Sequence, residues 1–308
     1  MDFGWHLPCY GPLATRDNLL RVAREAERFG FESVFVSDHV VLPFEQKTPY
    51  GSDRSGVFPI PPTGAFLEPL TALALVASVT ERVRLGTTVL VLPHRHPVLL
   101  AKTIATLDHL SDGRVIVGAG VGWMREEIEV FGVPFERRGA WSDEALNAMK
   151  RCWADERSKH IGEFFRFDDV GCFPKPRQKP YPPLWIGGGG AAAFRRVARF
   201  GDGFHAAWSA PEVMGEQIRE VFKECEKLGR LGTDLVFSVR AGYGIRDEPR
   251  QDGRVNLLGP PAFIAEQIAR YADVGVSHIV LEARMRDLGE HLTLLHRFAE
   301  DIRPLTET

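Results

Sequence analysis

Apolar runs of strand length alternate along the chain with segments whose apolar residues recur at helical spacing. Residues 83–123 show this pattern most clearly, because two apolar runs flank a Pro-bounded segment with Leu100, Ile104 and Leu107 on one helical face. Both runs are too apolar to expose one face to water. Strands that are buried on both faces and joined by a helix are typical of a parallel sheet. This stretch therefore predicts a strand, a helix and a second parallel strand.

The same alternation extends over the rest of the chain. Further strands are predicted at residues 3–7, 33–37, 183–187, 203–208, 234–242 and 277–281. Further helices are predicted at residues 17–29, 68–79, 126–131, 141–153, 191–200, 261–274 and 288–302, and at the segment in which Ile218, Val221, Cys225 and Leu228 recur. Eight strands that alternate with helices predict an α/β fold closed into a (β/α)8 TIM barrel. No linker interrupts the pattern, so we expect a single domain over residues 1–308.

Two segments are longer than ordinary connections and predict insertions after strand 2 and before strand 5. Residues 40–66 are rich in proline and glycine, which is typical of a binding loop or lid. Residues 160–179 alternate around Phe164, Phe165 and Phe167 and then become proline-rich. This second pattern predicts a hairpin over the mouth of the barrel.

Composition and charge narrow the class of protein. A hydrophobic content of 44% supplies a large core, and a net charge of −3 provides no basic face for nucleic acid. No apolar run reaches the ~20 residues of a membrane span, and the amino terminus lacks the pattern of a signal peptide. We therefore expect a cytoplasmic protein without a membrane partner. The four cysteines show no CxxC spacing and are expected to be structural or indifferent thiols.

Four consecutive glycines lie between the fifth strand and the following helix. Parallel barrels carry their active sites at the carboxyl ends of the strands, which is where Gly187, Gly188, Gly189 and Gly190 fall. A main chain without Cβ atoms can approach an anion closely, and the first N–H groups of a helix favour negative charge. We interpret the run as a phosphate cradle, with a simple flexible turn as the alternative.

A histidine follows the second strand at the same predicted edge. His39 can accept or donate a proton near neutral pH, which is the property that a proton-transfer catalyst needs. The alternative interpretation is a surface histidine beside Asp38, which would then cap the turn.

Aromatic residues are expected around this edge, and they indicate an apolar substrate pocket. We expect a neutral, fairly hydrophobic small-molecule substrate beside Tyr50, Phe58, Phe66, Trp123 and Trp208.

A pair of closely spaced histidines raises the question of a metal site. His94 and His96 alternate in a segment that could be extended, a spacing found in zinc sites. Acidic partners at the strand ends are sparse, so we expect no metal.

With these motifs identified, the chain resembles the bacterial luciferase-like flavin and deazaflavin oxidoreductases over nearly its whole length. The most specific motifs are VRLGTTV at residues 83–89, LSDGR at 110–114, GAGVGW at 118–123 and IGG at 186–188. Their order resembles the branch that depends on coenzyme F420 more than the FMN monooxygenases. FMN members usually carry serines in the glycine run after the fifth strand, where this chain has four glycines and three alanines.

The resemblance implies roles for particular residues. It implies a catalytic His39 beside the reactive face of the cofactor ring and a cis peptide bond between Thr88 and Val89 that supports the ring. It also implies cofactor contacts, apart from the glycine run, at Asp38, Thr88, Val89, Val121 and Gly122.

After the fourth strand, the sequence differs from that of one relative at Trp123. A relative that oxidises glucose 6-phosphate carries a proposed acid, glutamate, in place of Trp123, and this difference argues against a sugar phosphate. One of Glu126 and Glu127 is expected to bond to the cofactor, with solvated helix carboxylates as the alternative.

Three functions remain open at this point. The first is an F420-dependent oxidoreductase that moves a hydride between an organic substrate and the deazaflavin. The second is an FMNH2-dependent monooxygenase that uses O2, shares the barrel and the phosphate site, and takes its reduced flavin from a separate cofactor reductase. The third is a non-catalytic flavin-binding protein. The resemblance further implies a homodimer.

Overall fold

Eight parallel strands form a closed barrel in the computed structural model, which describes residues 1–51, 55–250 and 257–306. The strands are β1 (Asp2–His6), β2 (Ser33–Val36), β3 (Arg84–Thr87), β4 (Val115–Gly120), β5 (Leu184–Gly187), β6 (Gly203–Ala207), β7 (Val236–Ile245) and β8 (His278–Glu282). Each strand pairs in parallel with the next, and β8 pairs with β1 to close the ring. The predicted (β/α)8 TIM barrel is confirmed.

Helices follow the strands along the chain and cover the outside of the barrel. They are α1 (Arg16–Arg28), α2 (Pro69–Ala77), α3 (Pro97–Leu110), α4 (Arg125–Val130), α5 (Arg138–Ala154), α6 (Ala191–Phe200), α7 (Pro211–Lys227), α8 (Pro261–Asp273), α9 (Leu288–Arg297) and α10 (Arg303–Thr306). Helix α6 has the predicted bounds, whereas the predicted helix at 288–302 changes to a π-helical turn at Phe298–Ile302. Across the described ranges, no helix has the length and apolar character that would let it cross a membrane.

Local sequence signals explain where several of these helices begin. The side chain of Thr15 accepts a hydrogen bond from the N–H of Asn18 and caps α1. Helices α2 and α3 begin at Pro69 and Pro97, a position where the missing N–H costs no intrahelical bond. Shorter 3-10 turns occur at Gly11–Leu13, Leu92–His94 and Phe135–Arg137.

The third strand is interrupted near its carboxyl end. It stops at Thr87, and the chain pairs with β4 again at Leu90–Val91 after a cis peptide bond between Thr88 and Val89, as expected. The neighbouring strand approaches so closely that a Cβ atom on Gly118 would lie 1.9 Å from the carbonyl oxygen of Thr87. Glycine is therefore required at that position of β4.

The predicted hairpin before β5 exists, but it lies outside the barrel along α5. Its strands are Ser158–Ile161 and Arg166–Val170, which pair antiparallel. Phe165 packs edge-to-face on Trp141 with ring centroids 4.8 Å apart, and the carboxylate of Glu144 accepts the N–H of Phe165 at 2.8 Å. These contacts fix the hairpin to α5, so its predicted position over the barrel mouth is wrong.

Candidate functional site

A cavity of about 480 Å³ opens at the carboxyl ends of the barrel strands. All eight strands, or the turns that follow them, contribute residues to its wall. This is the face at which barrels of this class place their active sites, because turns from every strand converge there.

Most of the residues predicted for the site lie on this one cavity. Its wall includes His39, Tyr50, Phe58, Phe66, Thr88, Val89, Val121, Gly122, Trp123, Gly187, Gly188 and Trp208. Gly189 and Gly190 are exposed at the start of α6, which Gly190 caps. The glycine run and His39 are therefore at the same end of the barrel, as the sequence predicted.

The carboxylate of Asp38 is turned toward the protein. Arg95 donates two hydrogen bonds to it, from Nη1 to Oδ2 at 2.6 Å and from Nη2 to Oδ1 at 3.0 Å, and the N–H of Val91 donates another at 2.8 Å. The side chain of Asp38 has no exposed surface. Asp38 lines the cavity, and its carboxylate ties the turn after β2 to the turn after β3.

His39 is held by a carboxylate on α4. Its Nδ1 atom lies 2.6 Å from Oε2 of Glu127, while Oε1 of Glu127 accepts the N–H of Val40 at 2.7 Å and that of Val41 at 3.2 Å. Burial opposes ionisation of Glu127, but the hydrogen bonds that it accepts from His39 and from the main chain of Val40 outweigh burial, so the pKa of Glu127 lies below its usual value. An ionised glutamate thus anchors the imidazole.

The neighbouring glutamate holds the insertion at residues 40–66, of which 52–54 lie outside the described residues. Glu126 accepts hydrogen bonds from the N–H of Lys47 and from the N–H and hydroxyl of Thr48, the last two at 2.8 and 2.6 Å. Burial raises the pKa of Glu126, yet these donors outweigh it and lower the pKa to about 2. Both glutamates that were candidates for a bond to the cofactor have partners in the protein.

Aromatic rings from the insertion and from the turn after β4 enclose one side of His39. Its ring centroid is 4.7 Å from that of Phe58, 5.3 Å from that of Phe66 and 6.1 Å from that of Trp123. Tyr50 packs against Trp123 with centroids 4.9 Å apart. This aromatic wall gives the cavity an apolar side next to the histidine.

A buried charge cluster contributes to another part of the wall. Arg240 on β7 donates hydrogen bonds to Glu282 on β8 and to the hydroxyl of Ser37, and Tyr10 also donates to Glu282. The guanidinium groups of Arg240 and Arg284 lie 5.2 and 4.7 Å from the ring centroid of Trp208.

This charge cluster was not among the site residues predicted from the sequence. A signal exists, because arginine and glutamate within apolar strands are almost never buried unless they are paired. Arg240 and Glu282 each occur within such an apolar strand.

Comparison with protein families agrees with this geometry. A model of the luciferase-like monooxygenase family matches residues 1–254. The chain belongs to this family.

Curated relatives of this luciferase-like chain include proteins without an assigned function and a named dehydrogenase. An uncharacterised protein of Mycobacterium tuberculosis is 38% identical over 183 residues, which is 59% of this chain. The match spans 64% of that relative, less than two thirds of its length. An F420-dependent glucose-6-phosphate dehydrogenase of Intrasporangium calvum is 27% identical over 99% of this chain and 98% of the relative.

Solved structures share the luciferase-like barrel at lower identity. A monooxygenase from Streptomyces bottropensis superposes with a TM-score of 0.81 and 24% identity, covering 99% of both chains. An F420-dependent secondary alcohol dehydrogenase in complex with an F420-acetone adduct has a TM-score of 0.81 and 19% identity, covering 99% of this chain and 98% of that one. At these identities the likeness shows the fold alone.

The two histidines that raised the question of a metal in this luciferase-like chain have other environments. The side chain of His96 caps α3 by accepting the N–H of Val98 at 3.3 Å. His94 is buried, with its Nδ1 atom 4.0 Å from Oδ2 of Asp38 and its Nε2 atom 3.7 Å from Oε2 of Glu127. Among the residues that the structure describes, no group of three or more His, Cys, Asp or Glu side chains is placed to hold a metal ion.

Proposed function

We propose that this luciferase-like chain is an F420-dependent oxidoreductase that transfers a hydride between a small, apolar organic substrate and the deazaflavin. One observation carries the proposal: His39 and the bare main chain of Gly187 and Gly188 line the same cavity. A proton-transfer group and a site for a cofactor's anionic end are thus available to one bound cofactor.

The residues present fit such a cofactor. Gly188 has a φ of +125°, and a Cβ atom there would lie 2.8 Å from the Cβ of Ala193, so the turn depends on glycine. Gly189 and Gly190 are exposed at the start of α6, and the main-chain N–H groups at the start of a helix favour a phosphate. Val89 and Val121 supply apolar surface for a ring system. When bound, the deazaflavin supplies the carbon that gives or takes the hydride.

The chain's own residues position the substrate and exchange a proton with it. His39 lies in the cavity wall and can exchange a proton with a substrate that loses or gains a hydride. Phe58, Phe66 and Trp123 surround this histidine and exclude water from that side. Since these side chains are apolar, they favour a neutral, hydrophobic substrate over a sugar phosphate.

Two observations favour F420 over FMN. A relative named as an F420-dependent dehydrogenase aligns over 99% of the chain, and the run from Gly187 to Ala193 lacks the serines that FMN members usually carry. The second candidate function is an FMNH2-dependent monooxygenase served by a separate cofactor reductase. It is supported by the named monooxygenase among the structural neighbours.

Titration of the purified apoprotein with each cofactor tests the proposal. We expect a dissociation constant for F420 at least tenfold below that for FMN, which corresponds to about 1.4 kcal/mol. A dissociation constant for FMN below that for F420 would instead favour the FMNH2-dependent monooxygenase.

Turnover then separates an enzyme from a non-catalytic flavin-binding protein. We expect His39→Ala to lose turnover while its affinity for F420 stays within a few fold of the wild type. Unchanged turnover in this variant would remove His39 from the mechanism.

We also propose that the protein forms a homodimer, as the family resemblance implies. Light scattering at micromolar concentration tests this, and a monomer mass would refute it.

A further inference from the structure

Glu127 joins three donors from a single stretch of chain. Its Oε2 atom accepts from Nδ1 of His39, and its Oε1 atom accepts the main-chain N–H groups of Val40 and Val41. The side chain is only 2% exposed and comes from α4, 88 residues further along the chain. The carboxylate is therefore a fixed part of the cavity wall.

These contacts decide which nitrogen of His39 holds a proton. A main-chain N–H can only donate, and an ionised carboxylate can only accept. Nδ1 of His39 must therefore carry the hydrogen that points at Glu127. Within the described residues Nε2 makes no hydrogen bond, and His39 lines the cavity, so Nε2 is the atom left for a ligand.

The groups around this pair keep the arrangement in place. His94 packs behind Glu127, with its Nε2 atom 3.7 Å from Oε2, and burial lowers the pKa of His94, so this imidazole stays neutral. Asp38 is paired with Arg95 and does not compete for His39. Phe58 packs against the His39 ring, with the two ring centroids 4.7 Å apart.

We propose that Glu127 is a positioning residue that fixes the proton of His39 on Nδ1 and thereby makes Nε2 the proton-transfer atom of the site. This inference rests on the proposed function, in which His39 exchanges a proton with the substrate. During substrate oxidation the neutral Nε2 accepts the proton that the substrate releases as it gives up its hydride to the cofactor. In the opposite direction the same proton returns from Nε2 to the substrate.

The variant Glu127→Gln separates hydrogen bonding from charge. The N–H groups of Val40 and Val41 hold the amide oxygen on their side, so the amide nitrogen faces Nδ1 of His39. Nδ1 must then accept, and the proton of the neutral ring moves to Nε2. The ring remains in place, but Nε2 no longer offers a lone pair to a ligand in the cavity.

Three measurements test this exchange of tautomers. In protein labelled with ¹⁵N-histidine, with the His39 signals assigned by their loss in His39→Ala, we expect Nδ1–H in the wild type and Nε2–H in Glu127→Gln. We expect turnover to fall about 10²-fold or more in Glu127→Gln, the usual contribution of a general base. The dissociation constant for F420 should stay within threefold.

Glu129→Gln on the same helix is the matched control. Glu129 pairs with Arg125 in solvent and has a 48% exposed side chain, so its loss should change neither the spectrum nor turnover.

The outcomes distinguish this inference from the proposed function. A neutral wild-type His39 that is protonated on Nε2 overturns the inference, and this measurement needs no variant to fold. A Glu127→Gln protein with the wild-type tautomer and turnover overturns it as well. If the tautomer inverts as expected but His39→Ala retains turnover, Glu127 fixes the proton and the proposed role of His39 fails.

Discussion

Arg240 and Glu282 form a buried, two-pronged ion pair between adjacent strands at the wall of the cavity. Nε of Arg240 lies 3.0 Å from Oε2 of Glu282, and Nη2 lies 2.8 Å from Oε1. The side chains are 10% and 2% exposed. Burial opposes ionisation of Glu282, but the charges of Arg240 and Arg284 hold its pKa well below the usual range. The pair therefore stays charged in a site shielded from water.

We expect Glu282→Gln to lower the free energy of unfolding by about 3–5 kcal/mol, because it leaves the Arg240 charge buried without a counterion. Equilibrium denaturation in urea measures the change. The matched control is Glu212→Gln, which breaks an exposed pair with Arg270 and should cost less than about 1 kcal/mol. Equal losses in the two variants would contradict a special role for the buried pair.

Buried histidines should make the protein sensitive to mild acid. Burial lowers the pKa of His6, His94, His205, His278 and His291, in the case of His205 to about 3. The unfolded chain binds these protons near pH 6.5, whereas native His205 does not, so stability falls as the pH drops below 6.5. For His205 alone the loss between pH 7 and pH 5 is about 2 kcal/mol.

Urea denaturation of His205→Gln at pH 7 and pH 5 tests this. The variant should lose about 2 kcal/mol less than the wild type over that interval. His109→Gln, a change at an exposed histidine on α3, should behave like the wild type. An unaltered pH dependence in His205→Gln would show that the pKa of His205 in the native protein is close to its value in the unfolded chain.

A side chain at Gly188 should weaken cofactor binding. Alanine would have to adopt a φ of +125° and would place its Cβ atom 2.8 Å from that of Ala193, so the turn before α6 must shift. We expect the dissociation constant for F420 to rise about tenfold or more. Gly139→Ala on α5 is the control, because its Cβ atom would meet only the Arg196 guanidinium, at 3.5 Å. If both variants bind like the wild type, the anionic end of the cofactor lies elsewhere.

Trp123 should set the affinity for an apolar substrate. Its indole packs near His39, Tyr50 and Phe58, and Trp123→Ala removes that surface from the substrate side of the cavity. We expect KM to rise about tenfold or more, while the dissociation constant for F420 changes less than threefold. Phe44→Ala, in the insertion that carries Tyr50 and Phe58 but with an 87% exposed residue, should leave both constants unchanged. An unchanged KM in Trp123→Ala would place the substrate on another wall.

The ends of the elements were largely predictable because they depend on local signals. Residues 191–200 form α6 as the spacing predicts, since a glycine run precedes the helix and Gly201 follows it. The hairpin before β5 was predicted correctly as a hairpin but not in its position. Its alternating pattern fixes which residues are buried, whereas the choice of α5 as its support depends on contacts such as that between Phe165 and Trp141.

The sequence by itself determined the closed barrel and the edge that carries the site. Strands that are apolar on both faces must be buried on both sides. The order of strands and helices then brings His39 and Gly187 to the same end of the barrel. Only the tertiary structure decided the partners of the charged groups. Glu127 contacts His39, and Arg95 pairs with the carboxylate of Asp38, across 88 and 57 residues of chain. Periodicity records which residues are buried, but pairing across a closed ring depends on the direction in which each side chain points.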